Sequence, residues 1–218
     1  MELQLIYYIE VNAIAIWICA IIIRQIYKHT SHRETSNIVF HSILGLIIFM
    51  CASDIVGLAS EGQSFAGSRI VVYIANAIYF ATQAAICYFW MLFFQVRVRR
   101  IKKLISLRTF IGASPLIGFI CVLLANPWTK WFFYVDENSR YFRGDYVYIH
   151  WIIEFFYVIL IVALIISRFI TTSNKVIRSE CVSFITYFIP VIIAGYAQIK
   201  ILGVSSLQIG IVIASLMV

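Results

Sequence analysis

The stretch from Tyr146 to Ser167, YVYIHWIIEFFYVILIVALIIS, decides what kind of protein this is. It holds 22 residues, and one α-helix needs about 20 to cross the hydrocarbon core of a bilayer. Only His150 and Glu154 interrupt it with groups that ionise near neutral pH. They are four residues apart, so both lie on one face of a helix. The stretch therefore predicts a membrane-spanning helix that carries a costly polar pair.

Six further runs along the chain are also predominantly apolar. The chain as a whole is 62% hydrophobic but only 12% charged. A soluble domain is about half apolar and a quarter charged. We therefore predict an all-α polytopic bundle that forms one multi-pass domain over residues 1–218 and has no catalytic residue of its own. The seven predicted spans are about 3–23, 38–59, 70–94, 109–126, 146–167, 181–198 and 207–218.

The cationic residues predict the orientation of this bundle. Lysine and arginine number 17 against 10 acidic residues, and 12 of the 17 fall in the first, third and fifth connections. Cytoplasmic loops of membrane proteins carry such an excess. The N-terminus is therefore predicted outside and the C-terminus inside, and a nucleic-acid partner is disfavoured. The run from 207 to 218 stops in mid-helix, so we expect a truncated seventh span and a cytoplasmic output domain after residue 218.

The longest outer connection, residues 126–145, predicts a β-hairpin. Two aromatic runs, 131–135 and 140–143, flank the polar turn 136–139, and this is the pattern of paired strands around a turn. The alternative is an aromatic belt that rests on lipid headgroups. The residues predicted at the rim or lid of the bundle are Arg69, Trp131, Tyr141 and Arg143.

Polar side chains inside apolar runs predict a ligand site in the outer half of the bundle. Ionisable groups are expensive in a bilayer, and they commonly mark functional sites. The candidates are Glu10, Asp54, Asn76, Tyr79, Gln83, His150 and Glu154. Together they would suit a small polar or cationic ligand from outside. The alternative is that they form interhelical hydrogen bonds that stabilise packing. No metal site or cofactor is predicted, and the five cysteines have the character of packing residues.

Four short segments resemble one family. They are Ser53-Asp54, Glu61-Gly-Gln-Ser-Phe-Ala-Gly-Ser-Arg69, Tyr141-Phe-Arg-Gly144 with Ile149-His-Trp151, and Gly203-Val-Ser-Ser-Leu-Gln-Ile-Gly210. Their order and spacing resemble the N-terminal multi-pass region of bacterial, mainly Firmicute, diguanylate cyclases with a C-terminal GGDEF domain. Related seven-span regions precede some histidine kinases. The chain has no GGDEF string, so no catalytic residue carries over.

The resemblance implies a sensor region in a bacterial plasma membrane that regulates a cytoplasmic output module. That module would be a diguanylate cyclase making cyclic di-GMP, and the protein would be a homodimer, because the product joins two GTP molecules held by two subunits. The bilayer and a small external ligand would be the other partners. Two alternatives stay open: a small transporter or channel for cations or protons, and a membrane anchor without a ligand.

Overall fold

The computed structural model describes residues 2–29, 35–101, 106–200 and 206–217, and these residues are almost entirely helical. The helices are α1 (Glu2–His29), α2 (Thr35–Ser60), α3 (Ser68–Arg97), α4 (Leu107–Leu124), α5 (Asn126–Thr129), α6 (Tyr148–Thr171), α7 (Lys175–Lys200) and α8 (Ser206–Leu216). Between α5 and α6 lie two short strands, β1 (Phe133–Val135) and β2 (Tyr141–Arg143).

Five of the helices, α1, α2, α3, α6 and α7, are long and apolar enough to cross a membrane. Their outward faces are apolar as well: on α6, Ile152, Phe156 and Ile159 are exposed, whereas Tyr157 and Ile161 are buried. A helix that is apolar on all sides belongs in lipid or in a large core. The chain is therefore a helical bundle with the character of a multi-pass membrane protein.

Each of the seven predicted spans coincides with a helix, but the lengths differ. Helix α7 begins six residues before the predicted span 181–198, and α1 continues six residues beyond 3–23. Polar residues at a helix end extend the helix without extending its apolar run, so hydropathy underestimates these lengths. Helices α4 and α8 have 18 and 11 residues, and neither is among the five long apolar helices. Seven spans and the orientation stay predictions.

Six of the helices pack in a closed ring, in the order α1, α2, α3, α6, α7 and α8, and α8 contacts α1. Helix α4 lies outside the ring, against α3 and α6. At the end of the bundle that carries the predicted inner cations, Arg97 at the end of α3 and Arg100 just after it lie 3.9 and 3.3 Å from a carboxylate oxygen of Glu180 in α7. The ring places residues of α3, α6, α7 and α8 around a common interior.

Helix α4 begins at a capping box and is interrupted by a proline. The Ser106 hydroxyl accepts from the Thr109 amide, and the Thr109 hydroxyl accepts from the Ser106 amide, which satisfies two amides at the helix start. Pro115 lies inside the helix and removes one backbone donor. The Ser114 hydroxyl donates to the Ile111 carbonyl oxygen at 2.7 Å, and this is the carbonyl that the missing donor would have bonded.

Candidate functional site: a carboxylate-lined cavity beneath an aromatic hairpin

The hairpin β1–β2 covers one end of the ring. Its strands pair antiparallel, with Tyr134 opposite Phe142, and their rings stack 5.3 Å apart. Asn126, a buried asparagine at the start of α5, holds the first strand of the hairpin. The Asn126 amide donates to the Phe133 carbonyl oxygen and to the Tyr73 hydroxyl of α3, and its oxygen accepts from the Phe132 amide. One side chain therefore orients β1 against α3.

The α2–α3 connection holds the other side of the hairpin. The Glu61 carboxylate accepts from the Tyr141 amide at 2.9 Å, and the hydroxyls of Ser68 and Ser139 lie 2.6 Å apart. Arg69 donates from Nε to the Val135 carbonyl oxygen. Within the described part of the chain Arg69 forms no ion pair. Its role there is to hold the hairpin.

Two phenylalanines of this loop enter the bundle and build an aromatic layer, defined here as Phe80, Phe119, Phe132 and Phe133. All four are buried. Phe133 stacks on Phe80 with ring centroids 5.6 Å apart, and Phe132 meets Phe119 edge to face at 5.2 Å. The layer packs beneath the hairpin, and aromatic pairs at such distances are favourable.

His150 lies directly against the aromatic layer. Its ring is 4.9 Å from that of Phe80 and 5.4 Å from that of Phe119. Its Nε2 is 3.4 Å from Oε1 of Glu154, one turn further along α6, and that oxygen accepts no hydrogen bond within the described part of the chain. The two predicted site residues therefore meet, and the imidazole separates the carboxylate from the hairpin.

A second polar pair joins α1 to α2. The Asn12 amide donates to Oδ2 of Asp54 at 2.8 Å and to the Tyr8 carbonyl oxygen. Tyr79 of α3 is within electrostatic reach of both Asp54 and Glu154. The Tyr79 phenol on α3 therefore interacts electrostatically with a carboxyl group on α2 and with another on α6.

Glu154 also lines a cavity of about 260 Å³ between α3, α6, α7 and α8. Gln83 is a second polar residue in its wall, and this residue is only 3% exposed. Helix α8 contributes Ile211 and Ala214. Six aromatic residues line the cavity: Trp90, Trp151, Phe155, Tyr187, Phe188 and Tyr196. Small-molecule sites are of this kind, mostly apolar with a few placed polar groups.

The remaining predicted residues lie apart from this cavity. Glu10 is exposed on α1, and the Asn76 amide donates to its own helix at the Val72 carbonyl oxygen. Of the rim residues, Trp131 packs against Tyr146 and Arg143 is exposed on β2.

Tyr141 of β2 is held in place beside Arg143. Its ring lies 5.8 Å from that of Phe133. Burial raises the pKa of the Tyr141 phenol to about 12, although Arg143 beside it opposes the change. The phenol therefore stays neutral at physiological pH, and it can donate a hydrogen bond.

Sequence reasoning did not single out Asn12, Asn126 or Tyr157, although each makes specific contacts. A signal existed for Asn12, because an amide inside an apolar run is as exceptional as a carboxylate. Tyr157 gave no such signal, because tyrosines are frequent along this chain. In the sequence, the aromatic residues that line the cavity likewise cannot be distinguished from residues that face lipid.

No family model, curated protein or solved structure matches this chain.

Proposed function

We propose that the chain is the membrane-embedded signal-input region of a bacterial protein, and that the cavity is where its stimulus binds. The output module would be a cytoplasmic diguanylate cyclase acting as a homodimer, as the resemblance implies. In this proposal α4 and α8 complete seven spans, the N-terminus is outside and the hairpin covers the outer end. The cationic ends of α3 and α7, joined through Glu180, would face the cytoplasm, in agreement with the positive-inside rule.

The observation that carries this proposal is that Glu154 and α8 line the same cavity. A molecule that contacts the carboxylate on α6 also contacts Ile211 and Ala214 on α8. A ligand shifts a conformational equilibrium only by binding one state better than the other. Contact with both helices at once supplies such a difference, because any displacement of α8 changes the contacts of the bound molecule.

The cellular concentration of cyclic di-GMP tests this proposal. Bacteria would express the gene that encodes this chain, either as wild type, as Glu154→Gln or as Glu10→Gln. The second variant is the matched control, because Glu10 is an exposed carboxylate on α1. We expect Glu154→Gln to change cyclic di-GMP at least twofold at equal membrane abundance, and Glu10→Gln to leave it at the wild-type level. Equal cyclic di-GMP in all three strains would refute a sensory cavity.

Proteoliposomes distinguish the sensor from a transporter. The purified chain is expected to pass neither protons nor monovalent cations under an imposed gradient, because buried aromatic rings pack against His150 at the end of the interior that the hairpin covers. Flux that Glu154→Gln abolishes would replace the sensory proposal by a transport function.

A further inference from the structure

We propose that the cavity between α3, α6, α7 and α8 binds a small hydrophobic amine, whose ammonium group pairs with Glu154 and whose apolar body lies among the aromatic walls. The inference rests on the proposed sensory role of this cavity, and it names the chemical class of the stimulus. Three properties of the cavity lead to it: its carboxyl and amide groups, its aromatic lining and its size.

The Glu154 carboxyl group and the Gln83 amide form few polar contacts inside the protein, and Nε2 of His150 lies 3.4 Å from Oε1 of Glu154. Oε1 of Glu154 accepts no hydrogen bond within the described part of the chain, and the structure gives the side chain of Gln83 none there either, although it is buried. Among the described residues that line the cavity, none is a lysine or an arginine. A carboxylate at membrane depth is costly unless a cation or a donor compensates it. A bound ammonium supplies both.

The walls of the cavity favour a cation over a neutral ligand. Indole and phenol faces attract an ammonium group, and tryptophan does so most strongly. Trp90 and Trp151 lie on α3 and α6, the same helices that carry Gln83 and Glu154. A carboxylate combined with aromatic faces on neighbouring helices is a suitable environment for an organic cation. The aliphatic side chains of α7 and α8 would then enclose its apolar body.

The size of the cavity limits the ligand to a small molecule. Its volume of about 260 Å³ lies just below the range of about 300–1,000 Å³ typical of drug-sized ligands. A monoamine with one aromatic ring is of the appropriate size. Phenethylamine is therefore a suitable probe, and phenethyl alcohol is its uncharged counterpart of nearly the same shape.

Equilibrium dialysis tests this inference with the full chain in phosphatidylcholine nanodiscs at pH 7, where an aliphatic amine is cationic. Labelled phenethylamine is the ligand, and empty nanodiscs correct for its partition into lipid. We expect saturable binding to one site per chain, and phenethyl alcohol should compete at least tenfold more weakly than unlabelled amine. Absence of saturable binding, or equal competition by the alcohol, would overturn the inference, and neither result depends on a variant.

Three variants then locate the site. Glu154→Gln should weaken amine binding at least tenfold, whereas Glu154→Asp keeps the charge and should retain the preference for amine over alcohol. Glu10→Gln should bind like the wild type. Wild-type affinity in Glu154→Gln would place the amine elsewhere and refute this site. A failure of binding would leave the sensory proposal standing, because the cyclic di-GMP measurement on Glu154→Gln requires no knowledge of the ligand.

Discussion

The hydroxyl of Tyr157 on α6 bridges two backbone groups of α4: it donates to the Gly112 carbonyl oxygen at 2.9 Å and accepts from the Leu116 amide at 3.2 Å. These two groups are four residues apart, next to Pro115. A side chain inserted into the helical hydrogen-bond ladder is one of the recognised causes of a helix bend. Tyr157 therefore joins the helix that carries Glu154 to the proline-containing helix outside the ring.

Removing this hydroxyl should destabilise the protein. Tyr157→Phe leaves the ring in place but deprives the buried Leu116 amide and the half-buried Gly112 carbonyl of their shared partner. An unsatisfied buried polar group costs about 1–3 kcal/mol, so we expect a loss of that size in the free energy of unfolding in detergent micelles. The matched control is Tyr148→Phe on the same helix, where the side chain is 46% exposed. Equal stability of the two variants would show that the bridge contributes nothing.

The pair Asn12–Asp54 should be energetically coupled. Interhelical hydrogen bonds in membranes contribute about 0.6 kcal/mol on average and about 1.7 at most. A double-mutant cycle with Asn12→Ala and Asp54→Ala should therefore give a coupling free energy in that range. A second cycle pairing Asn12→Ala with Glu10→Ala should give a value near zero, because residues two apart on a helix do not face each other. Similar coupling in both cycles would contradict the observed pair.

A methyl group at Gly144 should displace the hairpin. A Cβ atom there would clash with the Trp131 carbonyl oxygen and lie 2.5 Å from that of Lys130, and backbone cannot yield as a flexible side chain can. Overpacking of this kind costs about 1–3 kcal/mol. Gly144→Ala is expected to speed proteolysis of residues 130–146 at least severalfold. Gly118→Ala is the control, since nothing lies within 4 Å of its Cβ position. Unchanged cleavage in Gly144→Ala would mean that the hairpin is not held there.

The contact between α7 and α8 should be sensitive to one methyl group as well. At Gly210 a Cβ atom would lie 2.6 Å from Cβ of Ala194 and 2.8 Å from the Pro190 carbonyl oxygen. Gly210→Ala should therefore move α8 away from α7 and enlarge or distort the cavity. We expect cyclic di-GMP to differ from the wild-type level at least twofold even without added ligand. Gly45→Ala is the control, because its Cβ position is open. If the two variants give the same level of cyclic di-GMP, α8 is not the moving element.

Several features follow from the sequence because they depend on local properties of the chain. Apolar runs of bilayer length predict helices wherever they occur, and all seven runs, among them 146–167, coincide with helices. The meeting of His150 with Glu154 was predictable too, since a spacing of four residues places both side chains on one helix face regardless of what surrounds them. The extra length of α7 was not predictable, because hydropathy cannot distinguish a polar helix end from a loop.

The sequence by itself determined that this chain is a helical membrane bundle and that His150 and Glu154 share one face of a helix, because composition and helical periodicity suffice for both. Only the tertiary structure decided which of the scattered polar residues meet. Asn12 finds Asp54 across 42 positions of sequence, Glu154 faces a cavity completed by α8, and Glu10 remains exposed. The reason is physical: an apolar helix presents similar side chains on every face, so its rotation and its neighbours are decided by packing against the other helices.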